Sequence, residues 1–108
     1  MKKTGVIEGI KNLIQDNKLV LLYISSTQCS VCHALLPKIK FILKKYPEIK
    51  LKAISIDDYT EVAGEFSVFT IPAVILYING KEYIRKARFI SIEELDRSIG
   101  RYYEIMFG

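Results

Sequence analysis

The spacing of hydrophobic positions changes several times along the chain, and each change marks an element. Val6, Ile7, Ile10, Leu13 and Ile14 recur at helical spacing and predict an amphipathic helix over about residues 4–16. "LVLLYI" (Leu19–Ile24) is a continuous apolar run, the pattern of a short strand buried on both faces. From about Ser30 the period is helical again, with Leu35, Ile39, Ile42, Leu43 and Tyr46 on one face. Pro37 falls inside that helix, where it removes a backbone donor and is expected to kink it, and Pro47 helps to end it. "LKAISID" (Leu51–Asp57) alternates and predicts a second strand. "DYTEVAGEFSV" predicts a short, weak helix with loops, and "AVILYI" (Ala73–Ile78) a third strand. Asn79–Gly80 is the strongest kind of short hairpin signal, so an antiparallel fourth strand is expected near Glu82–Phe89. Ser91 and Glu94 form a capping box for a last helix, with Leu95, Ile99, Tyr102 and Met106 inward. Tyr103 and Phe107 lie off that face, so the tail is expected to pack on two sides.

The order α-β-α-β-α-β-β-α holds one βαβ unit, from Leu19 to Asp57. It requires a parallel strand pair joined by a right-handed crossover. The hairpin adds an antiparallel pair, so the expected class is α/β with a mixed sheet. The 108 residues suffice for one domain, 1–108, and are too few for two. Half of them are hydrophobic and 26% charged, the balance of a globular protein. No linker, repeat or low-complexity segment interrupts them, and no apolar run approaches a membrane span. "MKK" opens like a signal n-region, but Glu8 and Lys11 stand where an apolar stretch should follow. A cytoplasmic protein is expected, or a mature chain whose signal has been removed.

Sixteen basic residues against twelve acidic give +4, with much of the excess between Lys38 and Lys52. Interleaved lysines on a solvated helix are ordinary; an acidic partner protein is the sharper alternative. No aromatic-and-basic motif accompanies the lysines, so no nucleic-acid partner is expected.

Chemistry concentrates in "SSTQCSVCHALLP" (Ser25–Pro37), which carries both cysteines and the single histidine. Such a cluster serves as a redox dithiol, half a zinc site, a covalent haem anchor, or none of these. A structural zinc wants four ligands, and only Cys29, Cys32 and His33 are local, so no metal is expected. A metal shared between two chains has no further support. C-x-x-C-H is formally the c-type haem motif. Here it opens an amphipathic helix in a βαβ unit, an architecture that a small cytochrome does not need. A dithiol fits the placement. Cys29 follows the first strand at the start of the second helix, where unpaired N–H groups and the helix dipole favour a thiolate. Cys32 lies one turn on and faces inward. That asymmetry supplies an exposed attacking thiolate and a sheltered resolving thiol. His33 has two accounts: a positive charge that tunes the thiolates, or simply a polar residue on an exposed first turn. Tyr59, Phe66 and Phe69, near the segment leading to Pro72, either rim a substrate site or pack in the core.

The stretch resembles the thioredoxin family. Pro37 lies five residues after Cys32, where family members carry a helix-kinking proline. "TIPAVILYINGK" (Thr70–Lys81) is similar to the family's cis-proline segment, the strand after it and the hairpin glycine, and Asp57 ends the second strand as an Asp often does in relatives. The resemblance runs from about Leu19 to the C-terminus. It implies a thioredoxin-like three-layer α/β/α fold with a four-stranded sheet, ordered second, first, third, fourth strand. The family's N-terminal strand is reduced or absent, since "MKKTGV" leaves it little room. It also implies Cys29 as nucleophile, Cys32 as resolving thiol and Pro72 as a cis-proline packed beside the disulfide. The backbone of Ile71 would pair with an extended substrate chain, and Gln28, Ser30 and Val31 would shape the substrate surface.

The departures are specific. Gln28 stands for the family's Trp, Ser30-Val31 for its Gly-Pro, Tyr23 for its buried Asp, Ala53 for that Asp's lysine partner, and Arg88 near a glycine of the hairpin's second strand. Tyr23 is a poor base near neutral pH, so deprotonation of Cys32 must rely on water or another group. The implied activity is thiol–disulfide exchange, reducing protein disulfides without a cofactor. A reductase would recycle the chain, and a monomer is expected. The alternative is a non-catalytic binding or adaptor module on the same fold.

Overall fold

The computed structural model describes residues 2–107, with side chains from Gly5 onward. The sheet is built around β1 (Leu19–Ser25), flanked on one side by β2 (Ile49–Ser55) in parallel and on the other by β3 (Ala73–Ile78) in antiparallel pairing. β4 (Lys81–Ala87) adds antiparallel to β3, giving the order β2-β1-β3-β4. The continuous apolar run of β1 follows from this central place. Leu19, Leu21 and Tyr23 face one core cluster, and Val20, Leu22 and Ile24 face the other. β3 divides the same way, with Val74, Leu76 and Ile78 against Ala73 and Ile75. Period-two alternation is therefore present, but both faces are buried and both need apolar side chains. Each fully buried Leu or Ile contributes about 1.5–3 kcal/mol.

Helices cover both faces. α1 (Lys2–Asp16) and α3 (Glu61–Glu65) supply Ile10, Ile14 and Val62 to one layer. α2 (Ser30–Leu43) and α4 (Ile92–Phe107) supply Leu35, Ile39, Ile42, Leu95 and Ile99 to the other. Asp96 ties α4 to the turn that follows α2. Its carboxylate accepts from Lys45 Nζ at 2.5 Å and from Tyr46 Oη at 2.6 Å. Burial alone would raise the Asp96 pKa, but the bonds from Lys45 and Tyr46 and the Lys45 charge together hold it below the usual range. Lys45, one of the lysines in the basic stretch, is thus paired at the surface with Asp96. Gly100 is where α4 meets Tyr46: a Cβ there would stand 2.8 Å from Tyr46 Oη. Tyr103 packs on Tyr46 and on Phe107, with ring centroids 5.1 and 4.7 Å apart, so the C-terminal helix does use a second side.

Some boundaries differ from the periodicity. β2 begins two residues earlier than Leu51 and stops at Ser55, because pairing with β1 runs from Leu19↔Ile49 to Ser25↔Ser55. Asp57 therefore lies in a turn beyond the strand rather than at its end. There Asp58 and Tyr59 N–H donate back to Ser55 O, and Asp57 N–H to Ser55 Oγ. α2 stops at Leu43, three residues short of Tyr46, and a turn bonded to Phe41, Ile42 and Leu43 carbonyls follows. β4 ends at Ala87 because Arg88 turns to φ +73°. Asn79 and Gly80 both take positive φ, as a tight hairpin between right-twisted strands requires. Among the described residues no helix is long and apolar enough to cross a membrane.

Candidate redox site

The loop from β1 to α2 carries the cysteines, and Asp57 pins it. Asp57 Oδ2 accepts from Ser26 Oγ at 2.7 Å, from Thr27 N–H at 2.7 Å and from Thr27 Oγ1 at 2.6 Å. Ser26 in turn receives the N–H groups of Gln28, at Oγ, and Cys29, at its carbonyl. The Thr27 hydroxyl bond, then the Ser26 bond, then the Thr27 N–H hold the Asp57 carboxyl below the usual range, against a smaller opposing effect of burial. A carboxyl depressed on folding contributes order above its unfolded pKa and loses it as pH falls through the folded value. The Thr27 amide resonance is therefore expected to titrate below pH about 3.9, the ordinary Asp value. In Asp57→Asn this titration should vanish. A Thr27 amide that titrates identically in both proteins would show that Asp57 does not hold the loop.

The pinned loop delivers Cys29 to the N-cap of α2, in extended conformation at φ −98°, ψ 102°. Its Sγ accepts the Cys32 N–H at 3.1 Å. The two cysteines form a disulfide with Cα atoms 5.2 Å apart. Cys29 is half-buried and Cys32 is 2% exposed. The less buried cysteine is thus the one whose sulfur accepts a helix N–H at the positive end of the dipole. Further along α2, Pro37 has no N–H to return to the His33 carbonyl.

His33 turns back over the loop, its Nε2 2.9 Å from Thr27 O. A carbonyl only accepts, so Nε2 carries the proton. Tyr23 lies beneath Cys32, 1% exposed, and donates its hydroxyl to Cys32 O at 2.7 Å. Burial pushes its pKa up to about 12. Across the parallel pair Tyr23 stands opposite Ala53, so no cation faces it from β2 at that register. Tyr23, Cys32, His33, Ser25, Ser55 and Asp58 border a small cleft of about 310 Å³.

The second half of the site comes from the start of β3. The Ile71–Pro72 peptide is cis, and Pro72 is buried. Pairing of Ile24 with Ala73 sets Pro72 at the same end of the sheet as the cysteine loop. Ile71 is half-buried and packs on the cluster that also receives Cys29. Gln28, Ser30 and Val31 are exposed around Cys29. The three aromatic residues before Pro72 separate: Phe66 is core, Tyr59 packs on the α1–α3 layer, and only Phe69, 86% exposed, remains at the surface. Two features escaped the sequence. The Asp57 clamp was signalled only by the run Ser25-Ser26-Thr27. The exposed Arg88-Phe89 lip was signalled by Arg88 standing near a family glycine. Among the described residues no group of three or more His, Cys, Asp and Glu side chains is placed to hold a metal ion.

A cis-proline turn and a C-x-x-C pair at a helix N-terminus, at one end of a β2-β1-β3-β4 sheet, define a thioredoxin-fold dithiol protein. The Thioredoxin family model matches residues 7–100, and the chain belongs to the thioredoxin family. It is 46% identical over 100 residues to the thioredoxin-like protein YdfQ of Bacillus subtilis (strain 168), covering 93% of this chain and 89% of that one. Thioredoxin 1 of the thermophilic eubacterium Thermosipho africanus TCF52B superposes with a TM-score of 0.75 at 36% identity, over 82% of this chain and 99% of that one. Thioredoxin O2 of Arabidopsis thaliana in the oxidized state shares the fold, with a TM-score of 0.84 at 17% identity over 95% and 91% of the two chains. Members of this family that keep the cysteine pair are thiol–disulfide oxidoreductases, and this chain keeps it.

Proposed function

We propose that the chain reduces disulfides in protein substrates, with Cys29 as nucleophile and Cys32 as resolving thiol. The observation that carries this is the asymmetry of the pair: Cys29 is half-exposed and accepts a helix N–H, while Cys32 is buried. In the reduced protein the Cys29 thiolate attacks a substrate disulfide. A Cys29–substrate S–S bond forms, the substrate S–S bond breaks, and one substrate thiolate leaves. Cys32 then loses its proton to solvent and attacks Cys29 Sγ, which expels the second substrate thiolate. Two electrons pass to the substrate, two protons complete its thiols, and the Cys29–Cys32 disulfide remains. A reductase must return two electrons for the next turnover. Gln28, Ser30 and Val31 form the surface around the nucleophile, and the Ile71 backbone beside Pro72 receives the substrate chain as a short β-addition. His33, bonded to Thr27 O, steadies the loop and places a titratable ring near the pair. The reaction needs no cofactor in this chain. A single domain over 1–108, working as a monomer in the reducing cytoplasm, suits it.

The test is the redox equilibrium of the pair in graded dithiol/disulfide buffers, read by mass-tagging of thiols. A two-electron transition is expected near the roughly −270 mV typical of thioredoxin. A markedly more oxidising midpoint would overturn the direction. Tyr23 and Ala53 in place of an acid–base pair favour a second reading, a non-catalytic binding module. Failure of the intramolecular disulfide to form would put that reading first.

A further inference from the structure

The segment leaving β4 holds a feature that disulfide exchange itself does not require. Arg88 has φ +73°, a left-handed conformation that side-chain-bearing residues adopt at a cost. Its backbone N–H donates to Pro72 O at 2.8 Å, which fixes it against the proline turn of the site. The next residue, Phe89, is 87% exposed, and the Arg88 guanidinium lies 5.2 Å from its ring centroid. Arg88, Phe89, Ile90 and Ser91 face Val31 and Leu35 of α2 across an open groove of about 410 Å³. Val31 lies between the two cysteines in sequence and is 59% exposed, so one wall of the groove is the residue next to Cys32. Its walls are apolar and its outer corner is cationic. Among the described residues Arg88 has no salt-bridge partner, whereas Arg85, within β4, is paired with Glu82. A carboxylate does stand near the far end, where Glu93 meets Ser91 Oγ at 3.4 Å.

We propose that Arg88 and Phe89 make this groove a selective dock for the polypeptide flanking the scissile disulfide, with an apolar side chain between Val31 and Phe89 and an acidic side chain on Arg88. The exposed aromatic and aliphatic walls supply contact area, and the unpaired guanidinium supplies the sign of the preferred charge. The proposal rests on the reading that the dithiol reduces protein disulfides, and it names the substrates that this site takes first.

The experiment uses three disulfide-linked peptides that share one apolar residue and carry Asp, Asn or Lys beside the cysteine. Single-turnover rates of the reduced protein are compared at low substrate. The Asp peptide is expected to react about fivefold faster than the Lys peptide, the scale of one exposed ion pair, with Asn between them. The spread should shrink with added salt. Arg88→Glu should reverse the order. Arg88→Gly, which suits the local φ, should remove the spread, and Phe89→Ala should slow the Asp and Asn peptides alike. Equal rates on all three peptides, or an unchanged order in Arg88→Glu, would overturn the dock while leaving the redox reading intact. No reduction of any peptide by the wild type would overturn both.

Discussion

Cys29→Ser is expected to abolish disulfide exchange, and Cys32→Ser to stall it one step later. A serine hydroxyl stays protonated where a helix-capping thiol ionises, and alkoxide attack on a disulfide has no counterpart in this reaction. The loss should be roughly a thousandfold or more. Cys32→Ser keeps the half-buried Cys29 thiol at its N-cap, with the backbone N–H donor of position 32 still in place. Attack should proceed and the intermediate should persist. The protein should gain the mass of one substrate half on Cys29, released by added dithiol. The two variants make the assignment directional. If Cys29→Ser trapped substrate as Cys32→Ser is expected to, with mixed disulfides accumulating on Cys32, the roles of the two sulfurs would be wrong.

Much of this geometry is legible in the sequence. β1 and β3 announce themselves because a central strand buried on both faces carries mostly apolar side chains, and Asn79-Gly80 fixes the hairpin that follows. The cysteine pair was legible from its place between a strand and a helix. Other parts depend on contacts that spacing does not encode. The start of β2 is set by its register with β1, not by its own alternation, because Ile49 is buried while Ala53 is exposed. The turn at 55–59 takes Asp57 out of the strand and turns it towards Ser26 and Thr27, interactions spanning 31 and 30 positions. Arg88 reads in sequence as one more basic residue on a strand. Only its positive φ and its bond to Pro72 give it a place at the site. The lysine stretch divides similarly: Lys45 is held by Asp96, and Lys44 lies 5.5 Å from the ring centroid of exposed Phe41.

Tyr23→Ala should be among the most damaging substitutions outside the cysteines. The side chain is the largest of those that are fully buried, and it fills the space under Cys32 between β1 and α2. Truncation should cost about 3–5 kcal/mol, a large share of the roughly 5–15 kcal/mol by which small domains are stable. Tyr23→Phe keeps the ring and loses only the bond to Cys32 O, so about 1 kcal/mol is expected. With its pKa pushed up to about 12, the phenol is neutral at physiological pH and has no role as a base. Tyr23→Phe should therefore leave the pH dependence of the resolving step in place; a shifted profile would show that the phenol handles the proton. Tyr23→Asp completes the test. It sets a carboxyl in a buried position opposite Ala53, with no cation at that register. Desolvation must raise the folded-state pKa above the unfolded value of about 3.9. The folded protein then holds the proton more tightly, so stability falls as pH rises from the unfolded pKa through the raised folded one. Urea midpoints of Tyr23→Asp should drop between about pH 4 and pH 8 by more than those of the parent. Parallel curves would mean that solvent in the adjacent cleft already hydrates this position, and that an acid under Cys32 needs no partner in this fold.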